Sequence, residues 1–320
     1  MALALLSLVF AVIPMLAYLW VVWILDRYDR EPLGLLALNF FWGAFGAVIL
    51  AVLASLAASA ALAGGDWVET VVIAPLVEEP AKGLALFLTA RSRHFDNITD
   101  GIVYGMAVGL GFGMTENFLY YLTVSDVREW VLLVVLRTLF SASVHAMATG
   151  VFGAFIGWAK FQGKRARVPI VALGFTLAIG LHAFWNYSVS LREPSAFLSG
   201  VVFIVFSVVV VFAAMQVSLR FEHRLLLREL TEEARFGLIP VLHLQFLPFS
   251  SRRTIRGWLD PMVDAREYVR AATRLAFRKS QVRHVDEKLR GSYEAEIESL
   301  RTCIRRLLTA VVEPQNSCCP

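Results

Sequence analysis

The sequence predicts an all-α membrane protein: a polytopic bundle of about seven transmembrane helices, followed by a small helical cytoplasmic tail. Of its 320 residues, 58% are apolar and 18% are charged, and the mean hydropathy is +0.63. An average soluble domain has about 45–50% apolar and about 25% charged residues. The composition therefore excludes a soluble enzyme, a disordered protein and a secreted disulfide-rich domain.

Seven stretches are long and apolar enough to cross a bilayer, which requires about 20 mostly apolar residues. In chain order they are 3–25, 33–62, 67–90, 98–124, 129–159, 168–191 and 196–219. The first has no basic segment before it and is followed by further spans. We therefore interpret it as a retained helix and not as a cleaved signal peptide.

Basic residues in the connections between the spans predict the orientation of the bundle. The odd-numbered connections carry eight basic residues and the even-numbered ones carry two. The eight are Arg27, Arg30, Arg91, Arg93, Lys160, Lys164, Arg165 and Arg167. Because cytoplasmic loops are enriched in Lys and Arg, we expect the N-terminus outside and the C-terminus in the cytoplasm.

The tail, residues 220–320, is predicted to be a separate basic helical domain behind a transmembrane domain of residues 1–219. Residues 1–219 contain 12 Lys and Arg against 13 Asp and Glu, whereas the tail contains 18 against 13. Helical patterns cover residues 263–278 and about 293–312. A cytoplasmic location explains the basic excess, so we expect no nucleic-acid partner.

Ionisable side chains inside the spans are the functional candidates, because hydrocarbon tolerates them poorly. The third span contains Glu78, Glu79 and Lys82, and at helical spacing both glutamates can reach the lysine. A buried ion pair that keeps the helix insertable explains one glutamate but not the second. Pro80 lies beside the pair and predicts a kink.

The fourth span combines a glycine repeat with a carboxylate. Glycine recurs at every fourth residue, at positions Gly101, Gly105, Gly109 and Gly113. This repeat predicts that a neighbouring helix approaches closely. Glu116 follows three residues after the last glycine and continues the same face into the bundle, where it would serve as a ligand, an acid or a base.

The fifth and sixth spans each carry a histidine. Residues at every fourth position form a polar stripe in the fifth span: Arg137, Ser141, His145 and Thr149. His182 and Asn186 have the same spacing in the sixth span. Counting from the loops places the glutamates and histidines at similar depths, with Glu116 and His182 toward the outer face. We expect one cavity, and we assign Arg137 only an orienting or snorkelling role.

Three carboxylates and two imidazoles allow two hydrolytic mechanisms. In one, a buried glutamate is the base that activates water, while histidine and asparagine donate to the oxyanion. In the other, two histidines and a glutamate (Glu116, His145 and His182) hold a catalytic Zn²⁺ and another glutamate is the base. The sequence contains neither His-Glu-x-x-His nor Gly-x-Ser-x-Gly, and the choice between the two mechanisms stays open.

The motifs resemble those of the PrsW family of bacterial intramembrane proteases. They are Glu78-Glu79-x-x-Lys82, Phe112-Gly113-x-x-Glu116-Asn117, an isolated His145 and His182-x-x-x-Asn186. The loop 26–32 also looks like the family's first cytoplasmic loop, and the likeness covers about residues 15–190. The resemblance implies a site-1 protease of the bacterial cell membrane that cuts a single-pass membrane protein, typically an anti-sigma factor, near the outer face.

The leading hypothesis is therefore an intramembrane endopeptidase. Glu78 and Glu79 are the base and its electrostatic partner, and Lys82 tunes their charge. Glu116 and His145 hold water or metal, and His182 with Asn186 stabilises the oxyanion. The expected partners are a single-pass substrate, the lipid bilayer and a second copy of the chain.

Two hypotheses from other classes compete with a protease. Intramembrane Glu, His and Lys also build the proton relays of transporters, although the inverted repeats common in carriers are not apparent in the sequence. A non-catalytic sensor or scaffold that signals through the tail would tolerate loss of the glutamates.

Overall fold

Helices account for all regular secondary structure in the residues that the computed structural model describes, which are 2–61, 65–95, 97–285 and 287–309. The α-helices are α1 (Ala2–Leu25), α2 (Leu33–Phe41), α3 (Val48–Ala61), α4 (Asp66–Val68), α5 (Ala74–Thr89), α6 (Ile98–Tyr121), α7 (Val127–Leu136), α8 (Ala142–Lys160), α9 (Lys164–Ser190), α10 (Pro194–Arg235), α11 (Ala265–Gln281) and α12 (Glu287–Thr309). The predicted all-α fold class is confirmed.

Three π-helical turns, with hydrogen bonds spanning five residues, join successive α-helices. They are Trp42–Ala47 between α2 and α3, Glu69–Ile73 between α4 and α5, and Arg137–Ser141 between α7 and α8. Turns of this kind are rare and are found often at functional sites. Two of the three lie in the spans that carry the candidate residues.

Each of the seven predicted spans coincides with a helix or with helices joined by a π turn; residue 62 lies outside the described residues. Five of these helical stretches are long and apolar enough to cross a membrane: Ala2–Leu25, Leu33–Ala60, Val127–Lys160, Lys164–Ser190 and Pro194–Arg235. The other two are α5, with the short helical segment before it, and α6. Both carry charged residues within the predicted span, Glu78, Glu79 and Lys82 in one and Glu116 in the other, which lower their hydropathy. A multi-pass membrane bundle is confirmed, and the count of seven stays a prediction.

The glycine repeat brings α6 against α8, as predicted. A Cβ atom on Gly101, Gly105 or Gly109 would overlap a backbone carbonyl oxygen of α8, that of Gly153, Thr149 or His145 respectively. The two backbones are therefore in direct contact along three turns, which only glycine permits. This contact places the C-terminal half of α6 beside His145.

A second group of buried acids lies near the start of α6. Asp26, Glu31 and Asp100 each offer an oxygen within 4.8 Å of the others, and Tyr104 donates a hydrogen bond to Glu31. Burial, followed by the Asp100 carboxylate, raises the pKa of Glu31 well above its usual value. Asp100 also completes a capping box with Asn97, as expected of an acidic residue at a helix start. The sequence did not reveal the neighbouring carboxylates.

The described chain divides into two compact units. One comprises residues 1–26 and 31–216, and the other comprises residues 27–30 and 217–320. The division lies within α10, which extends 16 residues beyond the predicted end of the seventh span at residue 219. The two-domain organisation, with its predicted boundary after residue 219, stays a prediction.

The second unit has a small core of its own. Leu226 and Leu230 of α10 pack with Tyr268 and Leu275 of α11 and with Leu300 of α12. Asp264 caps the start of α11 through hydrogen bonds to two backbone N–H groups. The helix predicted over 263–278 is present as α11, which begins two residues later and ends three residues later. The second helix begins at Glu287, six residues earlier than its pattern indicated. Residues 310–312 of that pattern lie outside the described residues.

Candidate functional site

Glu79 is the most completely buried carboxylate of the site. Its side chain has no solvent exposure, and neither has that of Lys82. Glu79 accepts hydrogen bonds from Lys82 Nζ at 2.8 Å and from Thr149 Oγ1 at 3.4 Å. His182 Nδ1 lies 2.9 Å from the same Glu79 oxygen that binds the lysine. Three different helices, α5, α8 and α9, therefore meet at one carboxylate.

Glu78 occupies the wetter side of the same turn. Its side chain is 13% exposed, and Oε2 lies 3.3 Å from Lys82 Nζ and 3.8 Å from His182 Nε2. Both glutamates contact the lysine, as their spacing predicted. The adjacent carboxylates differ in surroundings, since Glu79 is closed off by protein and Glu78 is partly exposed.

Glu116 faces His145 across the close-packed contact of α6 and α8. Glu116 Oε2 lies 2.5 Å from His145 Nε2 and 3.0 Å from Arg137 Nη2. Arg137 also donates to Asn117 Oδ1 at 3.0 Å and lies 3.7 Å from the ring centre of Tyr120. Of the two roles expected for Arg137, these contacts favour the orienting one, because the guanidinium holds Glu116 toward His145.

A contact between Lys82 and His145 determines the tautomer of the imidazole. Lys82 Nζ lies 3.0 Å from His145 Nδ1, and an ammonium group can only donate. His145 Nδ1 therefore accepts, so the proton of the neutral ring is on Nε2 and points to Glu116. A continuous hydrogen-bonded chain connects Glu79, Lys82, His145 and Glu116.

Asn186 has a structural partner that the sequence did not suggest. In the π turn Glu69–Ile73, a carbonyl accepts from the N–H group five residues later, and for Thr70 that residue is Pro75, which has no N–H. Asn186 Nδ2 donates to the Thr70 carbonyl oxygen at 2.8 Å. The amide satisfies a carbonyl that the proline leaves without its helical donor.

The structure brings six of the seven predicted site residues into one cluster: Glu78, Glu79, Lys82, Glu116, His145 and His182. The seventh, Asn186, lies one helical turn beyond His182. Three residues beyond this set join the cluster. Thr149 binds Glu79, Arg137 binds Glu116, and the ring of Phe112 lies 4.0 Å from Lys82 Nζ. The polar stripe of the fifth span already contained Arg137 and Thr149, and Phe112 opens the motif Phe112-Gly113-x-x-Glu116-Asn117.

The residues best placed to hold a metal differ in one member from those chosen on the sequence. Glu78, His145 and His182 each offer a ligand atom within 4.8 Å of the others. Glu116 is bound instead to His145 and Arg137. Two imidazoles and one carboxylate form a donor set that suits catalytic zinc and leaves a coordination position open. The contact between His182 Nδ1 and Glu79 is the carboxylate support that such histidine ligands usually have.

Comparisons with known proteins identify the family. The model of the PrsW family of intramembrane metalloproteases matches residues 31–215. The chain is 29% identical to Protease PrsW of Bacillus subtilis (strain 168) over 163 residues, which cover 51% of this chain and 72% of that protein. It is 31% identical to Protease PrsW of Clostridioides difficile (strain 630) over 202 residues, which cover 61% of this chain and 84% of that protein. No solved structure matches the chain.

The matched region contains every residue of the cluster and ends before most of the second unit. A protease family over these residues favours hydrolysis over the transporter and the non-catalytic scaffold. The expected location in a bacterial membrane is confirmed as well. The chain belongs to the PrsW family of intramembrane proteases, and it is a multi-pass membrane hydrolase.

Proposed function

We propose that the chain cuts a single-pass membrane protein of the anti-sigma-factor type, with a water molecule activated beside Glu78 and Glu116. The observation that supports this assignment is their exposure. The side chains of Glu78 and Glu116 are 13% and 24% exposed, whereas that of Glu79 is fully buried. A general base has to reach water, so the base is one of these two partly exposed carboxylates.

Glu79 and Lys82 act as positioning residues in this proposal. Lys82 neutralises Glu79 and donates to His145, and Glu79 accepts from His182. Each imidazole is thus held by a buried partner in a fixed orientation, which reduces the reorganisation that the reaction requires. Arg137 does the same for Glu116. Glu79 is therefore a positioning residue and not the base or the electrostatic partner of the base, because its side chain is fully buried.

The donor set fits the metal that the family description implies. Glu78, His145 and His182 would hold a Zn²⁺ ion, with Glu79 supporting His182. A zinc ion bound there would polarise the scissile carbonyl and activate a water molecule. Glu116 then remains the carboxylate that accepts the proton.

Metal analysis of the purified full chain tests this assignment without requiring a substrate. We expect about one zinc per chain in the wild type, with loss of the metal in Glu78→Gln and in His182→Ala. Glu116→Gln should keep the metal and lose proteolysis. Zinc retained in Glu78→Gln and His182→Ala, or full activity in Glu116→Gln, would contradict the assigned roles. Glu129→Gln, at an exposed position at the start of α7, is the matched control.

The seven-span topology and an outward-facing cut complete the proposal. The seven predicted segments are helical, and the basic residues in their connections favour a cytoplasmic tail. Mass spectrometry of a cleaved single-pass reporter should place the cut toward the outer face. The same sequence presented as a soluble fusion should stay intact. A cut at the cytoplasmic end would overturn the orientation but not the site residues.

A further inference from the structure

A basic surface of the second unit follows directly on the ends of two membrane helices. We call it the juxtamembrane surface, and it consists of Arg27, Arg220, Arg224, Arg252 and Arg256. Arg27 comes two residues after α1 ends at Leu25, and Arg220 comes directly after the predicted seventh span. All five side chains belong to exposed residues of the same compact unit.

Contacts within the second unit bring the segment that contains the last two of these arginines back to the part of α10 that directly follows the predicted seventh span. The segment that follows α10 returns along the helix, because His223 Nδ1 donates to the Pro248 carbonyl oxygen at 2.7 Å. Arg253 Nη1 then donates to the Tyr28 carbonyl oxygen at 3.2 Å. These two contacts bring the segment 248–253 to Tyr28 and His223, the chain neighbours of Arg27 and Arg224, although it comes about 30 residues after the last span in sequence.

Two acidic residues of the second unit lie near this surface in sequence, and both have other surroundings. Glu222 is buried, and Asp29 faces Arg253, which lies beneath the surface. Burial lowers the pKa of Arg253 to about 10, with Tyr28 and Asp29 opposing the shift. Arg253 therefore also remains protonated at neutral pH. The five exposed arginines carry a charge of the sign that anionic headgroups attract.

The surface carries more positive charge than the cytoplasmic bias of residues that flank spans explains. Arg27, Arg220 and Arg224 flank spans, where cytoplasmic positive bias explains them. Arg252 and Arg256 flank no span, and their position results from the contacts of Pro248 and Arg253. Apolar side chains accompany them. Ile255 is 52% exposed and Phe221 is 62% exposed, and the Arg252 guanidinium lies 4.3 Å from the ring centre of Phe249. Basic residues interspersed with exposed apolar side chains are typical of a surface that lies on a bilayer.

We propose that the juxtamembrane surface binds the headgroups of anionic phospholipids and so holds the segment 248–256 of the tail on the bilayer. The surface lies outside the protease cluster, and the inference does not depend on the proposed function. An arginine near an anionic membrane surface strengthens binding by about fivefold. Removing two of the five should therefore weaken the preference for anionic over neutral lipid measurably.

Lipid selectivity of the full chain tests the proposal. The protein is reconstituted in phosphatidylcholine bilayers that contain a trace of spin-labelled phosphatidylglycerol or spin-labelled phosphatidylcholine, and electron paramagnetic resonance gives the protein-associated fraction of each. We expect the wild type to select phosphatidylglycerol several-fold at low salt and to lose this selectivity in high salt. Arg252→Gln with Arg256→Gln should reduce the selectivity at least twofold, and the exposed Arg256→Gln alone by an intermediate amount.

The matched control also removes two positive charges, but near the C-terminal end of α10 and away from the juxtamembrane surface. Arg305 and Arg306 are exposed, and Arg305 lines a cavity with Phe236 and Val241 just beyond the end of that helix. Arg235 lies 15 residues, or about 22 Å of helix, beyond Arg220. Arg305→Gln with Arg306→Gln should keep the wild-type selectivity. Equal loss in both double variants would show an effect of net charge, and no loss in either, or no selectivity in the wild type, would refute the lipid contact.

Discussion

Substitution of Gly109 tests whether the contact between α6 and α8 sets the geometry of the site. A Cβ at this position would overlap the His145 carbonyl oxygen and would lie 2.6 Å from the His145 carbonyl carbon, whereas ordinary contact begins near 3.4 Å. In Gly109→Ala, α8 must therefore move away from α6 by about 0.8 Å or more. The distance from His145 Nε2 to Glu116 Oε2, now 2.5 Å, should increase by a similar amount.

The expected cost appears in both stability and activity. Overpacking of a tight interface destabilises a protein by about 1–3 kcal/mol. A displacement of about 1 Å at a catalytic group lowers the rate by about 100-fold, and the displacement required here should lower it by nearly as much. The assays are thermal unfolding of the purified full chain and cleavage of a single-pass reporter. Both effects should be present in the same preparation.

Gly180→Ala is the matched control, because a Cβ at Gly180 on α9 would meet no atom within 4 Å. Alanine is also the better helix former, so this variant should be as stable as the wild type or more so. If Gly109→Ala behaved like Gly180→Ala in both assays, the reasoning from backbone contact to site geometry would be refuted.

Three further predictions follow from the site and the tail. Lys82→Met leaves Glu79 buried without its cation and should cost about 3–5 kcal/mol in unfolding free energy; adding Glu79→Gln should recover part of that loss, and an additive double variant would contradict the pairing. Asn186→Ala should cost about 1 kcal/mol and lower activity only in proportion to the folded fraction, whereas a much larger fall in rate at full folding would restore the oxyanion role. In the tail, burial raises the pKa of Glu229 and Glu233, but hydrogen bonds from Arg283 to Glu229 and from Arg301 to Glu233 outweigh it and lower both. A carboxylate whose pKa is lower in the folded state than in the unfolded state stabilises the fold above the unfolded value of 4.5, and this stabilisation is lost as pH falls through the folded value. Hydrogen exchange of α11 and α12, corrected for intrinsic rates, should therefore become faster at low pH. This pH-dependent change should be smaller in Glu233→Gln and unchanged in the exposed Glu298→Gln.

The sequence by itself determined the fold class, the helical segments and six members of the cluster. Apolar segments about 20 residues long form helices because a bilayer satisfies no backbone hydrogen bond. Charged residues inside such segments are costly unless they meet partners or water. Glu78, Glu79, Lys82, Glu116, His145 and His182 could therefore be singled out without coordinates. The glycine repeat likewise predicted the contact that brings Glu116 to His145.

Only the tertiary structure decided what each residue of the cluster contacts. Glu78 and Glu79 are adjacent in sequence, yet Glu79 is closed off by α8 and α9 and Glu78 is partly exposed, because their side chains point about 100° apart around one helix. Asn186 donates a hydrogen bond to the carbonyl oxygen that Pro75 leaves without a helical donor, and Arg137 forms an ion pair with Glu116. The return of Arg252 to the membrane end of the tail likewise depends on contacts between residues far apart in sequence. Spacing along a chain specifies which residues share a helix face, whereas burial and partners depend on the neighbouring helices.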